Sequence, residues 1–402
     1  MRRRKFLYQL GLWSGGVAIG SHAWAASLAN PKPQRLVVIF LRGAVDGLNV
    51  LVPYTDANYY RLRPTIAIPR PGQNQGALDL NGQFGLHPAL GPLMDYWQEG
   101  NLAFIPAAGS PNDTRSHFEA QRYMETGTPE DKKTTDGWLN RLLGVLPQQG
   151  SPIQALNVGN TTPTILTGRA TVASLAPGAV NRVLLDQPAI ATHFDRLYSG
   201  QDALSQTYRE VRRARQEIMS ALAMETQEAN NNAPPALGFA GDAQRLGQLM
   251  RRDVQIGFMA IGGWDTHINQ GSSQGQLAGR LRLLAEGLDA LVLGLGRVYS
   301  ETAIVILSEF GRTAAENGNR GTDHGRGNVM MVLGGPIKGT QVAGPWPGLA
   351  PEQLYQRRDL AITVDFRAVL SQILRQHLQL NDAQLARVFP GYQAPQLGFS
   401  LL

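Results

Sequence analysis

Residues 303–313 read Ala-Ile-Val-Ile-Leu-Ser-Glu-Phe-Gly-Arg-Thr, and past a Gly/Asn-rich loop residues 322–328 read Thr-Asp-His-Gly-Arg-Gly-Asn. The aliphatic run Ala303–Leu307 predicts a strand buried on both faces, broken at Ser308, Glu309 and Gly311. Its polar groups therefore stand at a strand's C-terminal end, the edge where open α/β sheets bind ligands, with Asp323 and His324 one loop away. Upstream, Ile256–Ile261 predicts a second such strand, capped by Gly-Gly-Trp-Asp-Thr-His at 262–267. Two strand ends thus offer Asp265, His267, Glu309, Asp323 and His324 as a divalent-metal ligand set.

Working outward, Arg35–Leu41 predicts the first buried strand, which runs into Asp46 through Arg-Gly-Ala-Val. Thr55–Gly85 reads as an excursion with little regular structure, and Leu86-His87-Pro88 leads into an amphipathic helix. After the apolar segment Leu102–Ile105, Asp113 or Thr114 is the expected cap of a helix carrying Ser116 in its first turn. Exposed N–H groups there suit an anion, or a nucleophile attacking one. Later strands are expected at Ile153–Val158 and Asn328–Leu333, with helices at Ala243–Arg252, Gln274–Tyr299 and Asp365–Leu378. Strands alternating with helices predict one α/β domain, a mostly parallel sheet sandwiched by helices, over residues 27–402, with loop insertions and a helical insertion at about 200–235.

Met1–Ala26 is set apart. Arg3-Arg4-x-Phe6-Leu7 opens a short, Gly-broken apolar segment closed by Ala-Trp-Ala, the pattern of a twin-arginine export signal more than of a membrane anchor. This implies the twin-arginine translocase as a transient partner, a periplasmic or secreted location and no stable membrane span in the mature protein. The segment holds four basic residues, so the net charge of +6 falls to about +2 without it. No basic stripe interleaved with aromatics remains to support nucleic-acid binding. With no cysteine in the chain, any metal is held by oxygen and nitrogen.

Each polar candidate has a plain structural alternative. Asp46 before Gly47 suits a turn, Ser116 suits a helix cap, and Glu309 could pair with Arg312 in its own turn. The catalytic alternative makes Ser116 a nucleophile toward phosphorus or sulfur, with Arg42, Arg115, Arg312 and Arg326 gripping anionic oxygens.

Six motifs in order, Gly-Ala-Val-Asp-Gly (43–47), Leu-His-Pro-Ala-Leu (86–90), Arg-Ser-His-Phe-Glu-Ala-Gln (115–121), Gly-Gly-Trp-Asp-Thr-His (262–267), Ser-Glu-Phe-Gly-Arg-Thr (308–313) and Asp-His-Gly (323–325), resemble a bacterial family known as domain of unknown function 1501. That family resembles a remote branch of the alkaline phosphatase and sulfatase superfamily. The resemblance implies an alkaline phosphatase-like α/β fold and a metal-dependent hydrolase of phosphate or sulfate esters, using one or two ions of Zn, Mn, Ca or Mg. The substrate would be an anionic small-molecule ester or a polysaccharide. By position it implies Ser116 as nucleophile with Arg115 and His117 beside it as catalytic residues, and Asp46, Asp265, His267, Glu309 and His324 as metal ligands, with Asp323 a ligand or the group that orients one. Phe310 stands where many superfamily members carry a histidine. That departure supports an alternative, an exported binding or scaffold protein that keeps the fold and has lost catalysis.

Overall fold

The computed structural model describes residues 33–147, 153–177, 188–213, 238–252 and 254–402, so the signal segment and part of the helical insertion lie outside the described residues. Twelve strands are described: β1 (Arg35–Leu41), β2 (Leu51–Val52), β3 (Leu78–Asp79), β4 (Gly85–Leu86), β5 (Leu102–Gly109), β6 (Ala155–Val158), β7 (Ala173–Leu175), β8 (Ile256–Ile261), β9 (Thr302–Ser308), β10 (Asn328–Gly334), β11 (Gln341–Val342) and β12 (Val364–Asp365). The main sheet runs β11-β5-β10-β9-β1-β8-β6-β7, with β12 also on β5; β2, β4 and β3 form a small separate sheet.

β1 lies at the centre because it is apolar from Leu36 onward: Val37, Ile39 and Leu41 feed one core layer and Leu36, Val38 and Phe40 the other. Helices Phe239–Met250 and Gln276–Leu295 cover the first face, and Trp138–Leu143, Phe366–Gln376 and Asp382–Val388 the second. In Gln276–Leu295 the leucines at 277, 281, 284, 288, 291 and 295 recur every three or four residues, and all are buried.

The register explains where the site forms. β1 pairs in parallel with both β8 and β9, and Leu41 stands opposite Ile261 and Ser308, so three C-terminal ends line up at one edge. β10 runs antiparallel to β9 and β5. The sheet is therefore mostly parallel with one reversed strand, which lets the loop 309–327 stay at the same edge instead of crossing the protein. β5 runs in the sense of β9, so its end, Gly109, delivers the next loop and helix there too.

That helix is His117–Thr126, and its N-cap is Ser116, not Asp113 or Thr114; the Ser116 side chain makes no capping hydrogen bond. The element after His87 is a 3-10 helix, Pro88–Leu93, followed by a short α-helix, Met94–Gln98. His87 is fully buried, its Nδ1 accepts from Ala89 N at 3.0 Å, and its Nε2 faces the Ser272 carbonyl at 3.2 Å. Burial pushes its imidazole down to about 4. A histidine depressed on folding stabilises fully above its unfolded value near 6.5 and loses that contribution as pH falls toward 4, by up to about 3 kcal/mol. In urea unfolding, the stability difference between wild type and His87→Asn should therefore shrink from pH 7 to pH 4.5; a pH-independent difference would contradict this account.

A candidate metal centre at the sheet edge

The site gathers from segments far apart in sequence. His117 enters at the helix start, Asp265 and His267 follow β8, Glu309 follows β9, and Asp323 and His324 precede β10. His324 Nε2 lies 3.0 Å from His117 Nε2, 3.0 Å from His267 Nε2 and 3.3 Å from Asp265 Oδ1. Asp265 also stands 2.9 Å from His267 Nε2 and 3.6 Å from His117 Nε2. Among the described residues, His117, Asp265 and His324 offer ligand atoms all within 4.8 Å of one another.

The other edge of each ring is held by an acceptor. His117 Nδ1 is 2.7 Å from Glu309 Oε1, His324 Nδ1 is 2.9 Å from the Arg115 carbonyl, and His267 Nδ1 is 3.2 Å from Asp323 Oδ1. None of these acceptors has a proton to give, so each Nδ1 keeps its hydrogen and each ring turns its Nε2 toward the cluster. Three such nitrogens and a carboxylate crowd together this way when a cation lies between them. Tetrahedral ligands about 2.0–2.1 Å from zinc stand roughly 3.3 Å apart, close to the separations of His324 and Asp265 from each other and from the other two rings. The donor set fits a divalent metal.

The neighbours divide the labour. Burial alone would raise the Asp265 carboxyl, and the Arg312 guanidinium beside it overrides this and holds it below the usual range. Arg312 itself is buried and ties together the carbonyls of Gly43, Ala44, Trp264 and Thr322, the loops after β1 and β8 and before β10. Gly43 allows that closeness: its φ is 116°, and a Cβ would sit 2.8 Å from Asp265 N. Glu309 does not pair with Arg312. Its Oε1 accepts from Gly43 N, Gln121 Nε2 and His117, and its Oε2 from Ser308 Oγ, so it is fully used in orienting His117. Burial pushes its carboxyl up, but the His117 and Gln121 hydrogen bonds win and lower it. The Glu309 hydrogen bond in turn raises His117, while burial lowers His324. Asp323 is held low first by Asn317 and then by His267.

Several expected residues stand elsewhere. Asp46 is fully buried with its Oδ2 2.5 Å from Arg63 Nη1 and 2.6 Å from Gln270 Nε2, and its Oδ1 makes no hydrogen bond. The guanidinium of Arg115 binds Asp359, that of Arg42 binds Glu125, and that of Arg326 donates to the Pro111 carbonyl. Phe310 is buried with its ring centroid 4.8 Å from that of His117 and 5.2 Å from that of His324. The third imidazole thus comes from the helix start, packed on Phe310. Gln121, Arg63 and Gln270 escape a sequence reading; only Gln121 carried a signal, four residues after His117 on the same helix face.

A family model described as protein of unknown function (DUF1501) matches residues 33–389. The chain belongs to that family. No curated protein matches the sequence. Similar solved structures include Ps i-CgsB in complex with k-i-k-neocarrahexaose, at 10% identity over 88% of this chain and 74% of that one, TM-score 0.42. BT1596, a 2-O GAG sulfatase, is 10% identical over 91% and 76%, TM-score 0.40. A protein in the alkaline phosphatase superfamily from Vibrio parahaemolyticus is 13% identical over 78% and 63%, TM-score 0.33. At those TM-scores the likenesses carry no argument about activity, and the chemistry is read from this family member's own side chains.

If Glu309 orients His117, Glu309→Gln weakens metal binding by about 10–100-fold without abolishing it. Calorimetric titration checks this; loss of all binding would make Glu309 a ligand.

Proposed function

We propose that this chain is an exported, zinc-dependent hydrolase of phosphate or sulfate esters. The observation that carries the reading is the gathering of the His117 and His324 Nε2 atoms and the Asp265 carboxylate, with His267 Nε2 3.0 Å from His324 and 2.9 Å from Asp265 and each ring anchored through Nδ1. Three nitrogens and one oxygen suit zinc better than calcium or magnesium, which take oxygen ligands. His117, His267, His324 and Asp265 would hold the ion, which when bound supplies Lewis-acid polarisation of an ester oxygen. Glu309 and Asp323 act as orienting groups, and Asp46 as the counter-ion of Arg63.

Ser116 is the nucleophile in this proposal. It is exposed and its side chain is free of capping duty. It stands between Arg115, whose carbonyl is bound by His324, and His117, so both neighbours touch the cluster. The N-terminal end of the helix favours the anionic ester that Ser116 would attack. Arg115 positions this turn through Asp359. The segment 1–26 supplies the compartment, periplasmic or secreted, through the twin-arginine translocase, and Arg3→Lys with Arg4→Lys should block export. Among the described residues no helix is long and apolar enough to cross a membrane.

Zinc-loaded protein is expected to hydrolyse an activated aryl phosphate or sulfate, and Ser116→Ala to lower kcat by about a thousandfold or more with zinc content unchanged. A second reading, an exported binding protein with one metal ion, is favoured by the guanidiniums of Arg42, Arg115 and Arg326, all tied to the protein itself. Full zinc occupancy with no turnover across a broad ester panel would establish it and remove the hydrolase.

A further inference from the structure

The helix that brings His117 to the centre continues away from it as one wall of a cavity of about 450 Å³, within the range of small-molecule sites. His117, Gln121 and Glu125 recur every four residues, so they form one ridge that leads from the metal centre into the cavity, about 6 Å per step. Gln121 is the shared wall: it lines the cavity and donates to Glu309, the residue that orients His117. Beside this ridge Phe118 lines the same cavity and is 78% exposed, an unusual state for a large aromatic side chain. In the same lining Arg42 pairs with the buried Glu125, and the Arg42 Nε, itself buried, has no hydrogen-bond partner. The lining also includes Thr134, Thr135, Thr162 and Thr164.

The lining therefore combines an aromatic face, several hydroxyls, and two guanidiniums, Arg42 and Arg122, against one carboxylate, Glu125. A lipid tail or aryl group would leave those polar groups unpaired, at a cost. A saccharide ring fits them: it presents a C–H face to Phe118 and a polar edge to the hydroxyls and arginines. The net positive charge has no use for a neutral ring.

We propose that this cavity binds the alcohol part of the ester, a saccharide ring bearing a second acidic group, a carboxylate or a further sulfate, received at Arg122. This rests on the reading of the adjoining centre as an ester-binding site, and it adds the substrate class and the residues that select it. Phe118 serves as the platform, and Arg122 reads the second charge.

The test is calorimetric binding to zinc-loaded protein of three probes: a uronic acid monosulfate, a neutral hexose monosulfate and hexyl sulfate. The uronic acid sulfate is expected to bind tightest. Phe118→Ala should weaken both sugars about tenfold with little effect on hexyl sulfate, and Arg122→Gln should remove about fivefold from the uronic acid sulfate alone. Both side chains lie outside the metal centre, so zinc uptake measured on the same samples should match wild type. Hexyl sulfate binding as tightly as the sugars, or an unchanged sugar affinity in Phe118→Ala, overturns the saccharide site while zinc uptake leaves the centre standing. Absence of zinc uptake overturns the centre, and with it the ester reading on which the saccharide site rests.

Discussion

Replacing Asp46 by alanine is expected to lower the unfolding free energy by about 3–5 kcal/mol, because it strands the buried Arg63 guanidinium without its counter-ion. Arg63 has no route to solvent: besides Asp46 it donates to Asn49 Oδ1 and to the carbonyls of Thr313 and Ala314. The network extends to Tyr59, whose hydroxyl donates to Asn49, and to Gln270. It clamps the turn after β1 to the segment after β9. The double replacement Asp46→Ala with Arg63→Met removes both charges and should recover most of the loss, since a buried pair replaced by apolar groups is often close to neutral. Urea unfolding of both variants measures this. A folded, stable Asp46→Ala protein that has lost only its metal would instead make Asp46 a ligand through its unpartnered Oδ1.

His324→Ala is the second large effect. Within the cluster His324 is the imidazole in contact with both other rings and with Asp265, so its removal leaves His117 and His267 joined through the Asp265 carboxylate alone. Zinc affinity should fall at least about a hundredfold, beyond what the loss of an orienting group costs. The ring is about 25% exposed and lies outside the core layers, so the apo protein's unfolding transition should barely move.

The sequence alone makes the centre of the sheet readable, because β1, β8 and β9 are unbroken aliphatic runs that end in polar residues, and their register brings those ends together. It also makes the pair Asp265 and His267 readable, with Asp323 and His324, since each sits at a strand boundary. The reversal of β10 is not readable: Asn328–Gly334 has the same aliphatic character as a parallel strand, and its direction depends on which edge the preceding loop leaves from. Nor do the roles of the outlying residues show. The Glu309 carboxylate and the His117 ring are 192 positions apart, and only the fold decides that one orients the other. Asp46 precedes a glycine after a strand, as a ligand or a turn residue does, and its partner Arg63 caps the C-terminal end of a short helix, Ala57–Leu62, inside a stretch that reads as irregular. Phe310 by itself marks no imidazole at that position, whereas the packing brings His117 onto that ring from another element.

The most direct test of the account is a zinc titration of chelator-treated protein, followed by calorimetry in wild type, His324→Ala and Asp265→Ala. The account predicts one ion per chain in wild type and at least a hundredfold weaker binding in both variants. No saturable binding, or binding that both variants retain, would contradict it.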